Sequence, residues 1–399
     1  MDASRLRASG DRSLFEELQK HPLVTRTVER LEDAETKGPM GVRRQLLATS
    51  LRLTREMSPA LAAITDRCRE RLTIDDPIET YVYASPDFNA AAVKPEDGRL
   101  FIMLSSSLLE AFEGDELSFV MGHELGHHIF KHHDVPIGYL LRGEEKPPPE
   151  LALQLFAWSR YAEISADRAG AACTNDTDAV ARALFRLASG LRGSKIELRI
   201  EDFARQADLM QVEHEEPGNR APMADWFSTH PFSPLRVKAL HHYAESELAK
   251  DDGTSIDVLE ARVQTLMALM EPSYLEGHDE TAERMRRLLF AGAIAVASTT
   301  GGISDEEIAA FEKFFGESSF SEGLDVDAIR GDLQSRMADA NESVPPPRRL
   351  QVLRDLCVIA RADGHVDDEE MELLQWVAEG LQIERAVIDQ TVAGSVELD

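Results

Sequence analysis

Two histidines and a glutamate near the middle of the chain combine metal-binding and acid–base side chains at helical spacing. They occur in the sequence His123-Glu124-Leu125-Gly126-His127. On a helix, residues four positions apart are separated by one turn and about 40° of rotation, so both imidazoles can reach one ion. Glu124 lies about 100° around the helix from His123, where it can take a proton from water beside that ion. The pattern predicts a zinc site that hydrolyses a carbonyl group.

A catalytic zinc also needs a third protein ligand and an open fourth position. His133 is one candidate, but the helix must then end between the motif and this residue, and Phe130 occupies the position where a glycine would break it. In an unbroken helix His133 would lie about 15 Å along the axis from His123. We therefore expect His128, His132 and His133 to be helix-face or solvated residues rather than ligands.

Glu163 is the better candidate for the third ligand. It lies in Arg160-Tyr-Ala-Glu-Ile-Ser-Ala-Asp167, on the next predicted long helix. A carboxylate there completes a site of two histidines and one glutamate. Asp167, one turn further on the same face, can hold a ligand histidine by its other ring nitrogen. The alternative for this acidic pair is a solvated helix face.

The surrounding pattern predicts the elements that position these side chains. Apolar residues recur at helical spacing from Ser13 to about Arg71, and the HExxH segment continues a helix that opens near Asp115. Strands are predicted over 78–83 and 99–104, with a further short strand of small residues over 89–93. Later helices are predicted from about 150 to 170, over 177–191 and 199–212, and from about 234 to 250. A small sheet is therefore expected to precede the HExxH helix.

The composition restricts the partners and the location of the protein. The 399 residues contain 72 Asp and Glu against 43 Lys and Arg, which gives a formal charge of −29. Nucleic acid and anionic membranes would repel such a chain, whereas a polypeptide partner remains compatible. The spacing of its three cysteines is not typical of a metal site or of a disulfide framework. Its longest apolar run, Leu288 to Ala297, has about half the length of a membrane-spanning helix. We expect no integral membrane segment and a cytoplasmic location.

The last quarter of the chain has a distinct character. Residues 301–399 hold 23 acidic and 8 basic side chains, and two segments, 297–307 and 360–370, align at an offset of 63 residues. Each copy predicts a helix that stops at glycine, followed by a capping-box start for the next helix. A calcium-binding loop is excluded, because Ile359 and Arg361 occupy positions that need oxygen ligands. The repeat indicates two packed helix–turn–helix units.

Residues 89 to 236 resemble the HtpX-like family of zinc metallopeptidases, which are gluzincins. The matching pieces are Asn89-Ala90-Ala91, the HExxH motif with His132 five residues beyond it, Arg160-x-x-Glu163-x-x-Ala-Asp167, and Ser228-Thr-His-Pro231 with Arg236. The resemblance implies a zinc endopeptidase with His123, His127 and Glu163 as ligands and Glu124 as general base. It also implies that the loop of His230 lies over the metal, where this residue stabilises an oxyanion or caps the zinc. On its own, His230 would read as a turn residue.

We expect substrate backbone to add as a strand at the sheet edge near Asn89, Ala90 and Ala91, where small side chains allow close approach. His230 or Arg236 would support developing charge, and the proline-containing loop over 135–149 could act as a lid. Relatives of the family are often membrane-embedded or exported, and this sequence shows neither feature. Prenylated or outer-membrane substrates are therefore not expected.

Residues from about 283 to 395 look like a tellurite-resistance TerB-like helical domain, which implies an interaction or sensing module. The expected organisation is an N-terminal helical segment (1–75), a zinc metallopeptidase domain (76–250), a linker (251–282) and the TerB-like domain (283–399). The expected fold class is α+β: a mainly helical zincin-type domain with a small sheet, followed by an all-α domain.

The sequence therefore predicts a cytoplasmic zinc endopeptidase that acts on unfolded or damaged proteins and has an acidic C-terminal domain that binds a protein partner. One alternative is a zinc-stabilised scaffold or holdase, closed by His230, with little proteolytic activity. A second alternative is a helical adaptor in which the HExxH motif is incidental. Metal content separates the adaptor from the other two functions.

Overall fold

The computed structural model describes residues 3–37, 41–143, 145–174, 176–192, 199–215, 228–270, 280–297, 308–309, 312, 326–344, 346–362 and 364–393. The chain divides into two compact units. The first unit comprises residues 1–206 and 228–253, and the second comprises residues 207–227 and 254–399. Helices dominate both units and a small sheet lies in the first, which confirms the α+β class.

A four-stranded sheet forms one wall of the first unit. Its strands are β1 (Leu51–Leu53), β2 (Ile78–Tyr83), β3 (Ala90–Glu96) and β4 (Arg99–Ser105), in the order β1-β2-β4-β3. β2 and β4 are parallel, while β1 and β3 are antiparallel to their neighbours. β3 is therefore an edge strand that pairs only on its β4 side within this sheet.

The rest of the first unit is mainly helical. Its helices are α1 (Ser9–Lys20), α2 (Pro22–Lys37), α3 (Val42–Thr49), α4 (Pro59–Arg71), α5 (Ser106–Ala111), α6 (Gly114–Ile129), α7 (Ile137–Arg142), α8 (Pro149–Ala172), α9 (Thr177–Ser189) and α11 (Ser233–Ala244). Between α9 and α11, helix α10 (Ile200–Glu215) begins in this unit and ends in the second. α11 is shorter than the helix to residue 250 that the sequence predicted.

One strand lies where the sequence predicted only helix. β1 follows α3 directly and pairs with β2 through Leu51 opposite Val82 and Leu53 opposite Thr80. A three-residue strand carries too few residues for its alternating pattern to be separated from the helical spacing around it. Strands β2 (Ile78–Tyr83) and β4 (Arg99–Ser105) match the prediction, and β3 (Ala90–Glu96) is longer than the short strand predicted over 89–93.

Small residues allow α6 and α8 to approach each other closely. A Cβ atom added to Gly126 would lie 2.9 Å from the Cα of Ala166, and one added to Gly122 would lie 3.0 Å from the Cα of Gly170. Gly122 and Gly126 are four residues apart and so share a face of α6. The helix that carries the HExxH motif is thereby held directly against the helix that carries Glu163.

The described part of the second unit is helical. Its helices are α12 (Ile256–Ala268), α13 (Glu280–Ala297), α14 (Val326–Ser343), α15 (Pro346–Ala360), α16 (Asp368–Gly380) and α17 (Ala386–Ala393). Asp367 and Glu370 form the predicted capping box at the start of α16. The other copy of the predicted repeat, over 298–307, lies outside the described residues, as does the predicted loop over 216–222. Among the described helices, none is long and apolar enough to cross a bilayer.

Candidate metal centre

The two histidines of the HExxH motif converge on one point beside α6. The Nε2 atoms of His123 and His127 lie 3.3 Å apart, one turn of helix from each other. Burial lowers the pKa of His127 well below its usual range, and the nearby imidazoles lower it further. This side chain is therefore a neutral imidazole with a lone pair available to a cation.

Glu163 completes a three-residue donor set from the neighbouring helix α8. Its Oε2 atom lies 3.5 Å from His123 Nε2, and its Oε1 atom lies 3.5 Å from His127 Nε2. Donors that bind zinc tetrahedrally at about 2.0–2.1 Å are about 3.3–3.4 Å from one another. The observed spacings agree with that geometry, and the described residues contain no other such cluster of three metal-binding side chains. The three side chains fit a zinc ion.

Behind His123, Asp167 and Arg236 form a buried ion pair. His123 Nδ1 lies 2.9 Å from Asp167 Oδ1, so the Nε2 atom of the ring is left to face Glu163. Arg236 donates through Nε and Nη2 to the two carboxylate oxygens of Asp167, at 2.8 and 2.6 Å. Burial raises the pKa of Asp167, but the charge and hydrogen bonds of Arg236 outweigh this effect and hold the pKa below its usual value. Asp167 is therefore an anion that fixes the orientation of His123.

The sequence predicts that Arg236 supports developing charge, and the structure shows which groups this side chain contacts. Both of its strong hydrogen bonds go to Asp167, its Nη2 atom lies 3.5 Å from Glu163 Oε2, and it does not line the cleft described below. The guanidinium therefore faces the back of the donor set. In this position its charge stabilises the carboxylates of Asp167 and Glu163.

Glu124 lies between the donor set and the sheet edge. Its Oε2 atom accepts a hydrogen bond from the backbone N–H of Ala92 on β3, at 2.5 Å. Burial raises the pKa of Glu124 and the charge of Glu163 adds to this rise, while His123 opposes it. A buried carboxyl with a raised pKa beside metal-binding side chains has the properties of a general base.

Alternate backbone groups of the edge strand β3 point away from β4, and one of them, the N–H of Ala92, contacts Glu124. Asn89 accepts from the N–H of Ser105 on β4, and Ala91 lies opposite Met103, so the odd-numbered residues of this stretch bond to β4. Because bonding directions alternate along an antiparallel strand, the N–H and C=O groups of Ala90 and Ala92 point away from β4. The side chain of Asn89 instead donates to the hydroxyl of Tyr83.

His132 does not have the position that the sequence predicted. The helix ends at Ile129, and Lys131 takes a left-handed conformation with φ of 59°, so the chain turns without a glycine. This turn brings His132 Nδ1 to 2.8 Å from His127 Nδ1 and buries the ring. His128 is also buried, and its Nε2 atom lies 3.4 Å from the carbonyl oxygen of Phe101. The sequence predicted helix-face or solvated residues: His128 does lie on α6 but is buried, whereas His132 is neither on the helix nor solvated, because the chain turns at Lys131.

His230 lies on the open side of the donor set. Its Nε2 atom is 3.4 Å from Glu163 Oε1, and its side chain is 63% exposed. The preceding loop is fixed to α8, where Ser159 Oγ donates to the carbonyl of Thr229 and Arg160 donates to that of Ser228. His230 therefore reaches the site from an anchored loop while its ring remains accessible to water.

A cleft of about 1030 Å³ opens onto these residues. One side is the β3 edge at Ala90 to Ala92, and another is the segment from Val135 to Tyr139, which includes the start of α7. Helix α2 contributes further residues, among them Val28 and Glu32. The N-terminal helices are therefore part of the cleft wall.

The HExxH helix, the glutamate on the next long helix and the edge strand beside them together form a candidate metal centre next to an open strand edge. Residues 56–141 and 150–244 match the model of Peptidase family M48, and residues 286–392 match the model of Tellurite resistance protein TerB. The first of these regions is thus similar to metallopeptidases of family M48, and the second is similar to TerB proteins.

Two curated relatives agree with this assignment. Plastoglobule-localized metallopeptidase 48, chloroplastic, from Arabidopsis thaliana is 27% identical over 218 residues, which cover 50% of this chain and 61% of the relative. A protease HtpX homolog from Gemmatimonas aurantiaca is 26% identical over 226 residues, which cover 48% of this chain and 78% of the relative. The matched part is therefore about three fifths of the length of the plant protein. No solved structure is significantly similar to the chain.

Two parts of the site were missed by sequence reasoning. Asp11, which contacts His132, lies 121 positions from it in sequence, and no local pattern marks it. The close approach of the two ligand helices did have a signal, since Gly122 and Gly126 on one helix and Ala166 and Gly170 on the other recur at four-residue spacing.

Proposed function

We propose that this protein is a zinc-dependent endopeptidase that hydrolyses peptide bonds in unfolded or damaged proteins. The observation that carries the proposal is the donor set of His123, His127 and Glu163, with atom spacings of 3.3–3.5 Å. The buried carboxyl of Glu124 lies within 2.5 Å of an edge-strand N–H, which adds a base and a substrate-binding strand to the metal site.

Substrate is held as an added strand along β3. The outward N–H and C=O groups of Ala90 and Ala92 pair with its backbone, as in other cases of strand addition. The short side chains of Ala90 and Ala91 let the peptide approach closely, and Asn89 fixes the start of the strand through Tyr83. An extended backbone is the feature recognised, which favours unfolded segments over folded domains.

Glu124 moves the protons of the reaction. A zinc ion held by His123, His127 and Glu163 supplies Lewis-acid polarisation of the scissile carbonyl and acidifies water. Glu124 takes the proton of the attacking water and then gives it to the leaving amine nitrogen. The substrate backbone displaces Glu124 from the N–H of Ala92, which frees the carboxylate for this work. His230, on the open side, donates to the oxygen on which negative charge develops.

Cleavage of casein by the wild type, by Glu124→Gln and by Glu29→Gln tests this proposal. Glu29 is an exposed residue that lines the same cleft, so it provides a matched control for the loss of one carboxylate. We expect Glu124→Gln to lose about 10²–10⁴-fold in rate with unchanged zinc content, and Glu29→Gln to stay within about twofold. Undiminished cleavage by Glu124→Gln would reject the base assignment.

A protein-binding scaffold with little activity is the second candidate, and the position of His230 favours it. Its Nε2 atom is as close to Glu163 as the histidine ligands are, which suits a residue that caps the fourth zinc position. The variant His230→Ala separates the two functions. A rise in casein cleavage indicates a capped site, whereas a fall indicates that His230 stabilises developing charge.

The remaining features concern location and partners. We propose a cytoplasmic location, supported by three buried free cysteines. We also propose that the acidic C-terminal domain binds a protein partner that is itself cationic, since residues 301–399 carry a net charge of −15 from 23 acidic and 8 basic side chains.

A further inference from the structure

A continuous line of hydrogen-bonding side chains runs from His127 to the first helix of the chain. His127 Nδ1 lies 2.8 Å from His132 Nδ1, and His132 Nε2 lies 3.0 Å from Asp11 Oδ2. Asp11 is on α1, and its side chain is fully buried. The family M48 match begins at residue 56, so this carboxylate comes from outside the matched region.

The donor and acceptor roles along this line follow from the metal site. If His127 uses Nε2 for a cation, its proton is on Nδ1 and is donated to His132 Nδ1. The proton of His132 is then on Nε2, where it is donated to Asp11 Oδ2. Each ring nitrogen then has one role, so the geometry is consistent with one set of tautomers. A carboxylate at the end of such a chain makes the ligand histidine a better electron donor.

The site around Asp11 keeps this carboxylate charged and fixed. Arg7 donates to both carboxylate oxygens, at 2.9 and 3.0 Å, and Trp158 and Ser165 of α8 donate at 3.0 and 2.8 Å. Burial favours the neutral acid, but the hydrogen bonds from His132 and Arg7 and the charge of the guanidinium outweigh it and hold the pKa of Asp11 below its usual range. A fully buried anion with this many donors is rigid and pre-organised.

We propose that Asp11, acting through His132, is a positioning residue for the metal ligand His127, which makes the N-terminal helix α1 a functional part of the metal centre. The two ligand histidines are then supported in parallel: Asp167 holds Nδ1 of His123, and the Asp11–His132 pair holds Nδ1 of His127. The inference rests on the proposed zinc site.

The zinc dissociation constant, measured by competition with a chelator, tests this role without using activity. The variants are Asp11→Asn, His132→Gln and the double variant, all in the full chain. Loss of a residue that hydrogen-bonds to a metal ligand weakens metal binding by about 10–100-fold. The zinc dissociation constant of each single variant should therefore rise by that factor. Because Asp11 acts through His132, the double variant should bind zinc no more weakly than His132→Gln alone.

Ser165→Ala is the matched control, because it removes another hydrogen bond to Asp11 Oδ2 and leaves His132 in place. We expect it to lower the thermal midpoint while its zinc dissociation constant stays within about twofold of the wild type. A lowered midpoint for Asp11→Asn with unchanged zinc affinity would overturn the inference, since Asp11 would then only fasten α1 to α8. Additive losses in the double variant would also overturn it.

Two further outcomes keep this test separate from that of the proposed function. If the wild type does not bind zinc at all, the proposed function fails. If Asp11→Asn does not fold, His132→Gln alone decides, because a dissociation constant equal to that of the wild type contradicts the positioning role.

Discussion

The interiors of the two units differ in what they bury. The second unit, in its described part, has a continuous core of Ala, Leu, Ile, Val and Met side chains. The first unit instead buries ionisable side chains in direct contact with one another at the junction of α6 and α8. They are Asp11, His123, Glu124, His132, Glu163, Asp167 and Arg236.

The difference has a thermodynamic meaning. A buried charge costs several kcal/mol unless it is paired and hydrogen-bonded, and an apolar replacement of similar volume is often as stable. The first unit has this cost where two helices and a strand edge meet. The described part of the second unit buries fewer charged side chains, among them Arg349, Arg354 and Glu370, beside a continuous apolar core. Clusters of buried ionisable groups are typical of functional sites, which supports the proposal that the chemistry takes place here.

Arg236→Gln should have the largest effect on stability. It leaves Asp167 buried without its cationic partner, and breaking a buried pair costs about 3–5 kcal/mol. The free energy of unfolding of the variant, measured with urea, should fall by that amount. Zinc affinity should fall as well, because Asp167 would no longer be held against His123.

Arg182→Gln provides the matched control. Arg182 pairs with Glu116 and Asp176, but its side chain is 41% exposed, so the loss should be below about 1 kcal/mol. Equal losses for Arg182 and Arg236 would contradict the contrast between a buried site and a surface pair.

Gly126→Ala should have an intermediate effect that is concentrated on the metal centre. The new Cβ would lie 2.9 Å from the Cα of Ala166, so the two ligand helices must separate. Such overpacking costs about 1–3 kcal/mol, although the helix preference of alanine offsets part of it. The two histidines are on α6 and Glu163 is on α8, so separating these helices moves the donors apart. Zinc affinity should therefore fall. Zinc affinity equal to that of the wild type would show that the close approach does not set the site.

Gly331→Ala should have the smallest effect, with the opposite sign. Gly331 is an exposed residue within α14, and a Cβ added there meets no atom within 4 Å. Alanine is preferred over glycine in a helix by about 1 kcal/mol, so the thermal midpoint should rise slightly. Zinc affinity should not change. A destabilised variant would indicate that this face of α14 is covered by a partner.

The sequence predicted those elements that local pattern determines. Strands β2 and β4 and the HExxH helix could be predicted from neighbouring residues alone, because their patterns are local. The donor set could not be predicted from local pattern alone, because the distance between Glu163 and the two histidines depends on how α8 packs on α6. Glycine and alanine spacing permits that packing but does not by itself specify which residues meet.

Two contacts between distant segments were beyond sequence reasoning. Lys131 adopts a left-handed conformation at a point where the sequence analysis expected that only a glycine would break the helix, and beyond this turn His132 lies 2.8 Å from His127. Asp11 reaches the same place from α1, whose own pattern indicates only an amphipathic helix. Such interactions arise from tertiary packing, so the periodicity of the local sequence does not predict them.

The zinc content of the purified full chain, determined by elemental mass spectrometry after dialysis, tests the central claim most directly. Glu163→Ala, measured beside the wild type, removes the donor that comes from the second helix. The account predicts about one zinc ion per wild-type chain and far less in the variant. A wild type that lacks zinc, or a folded Glu163→Ala that retains the full ion, would contradict it.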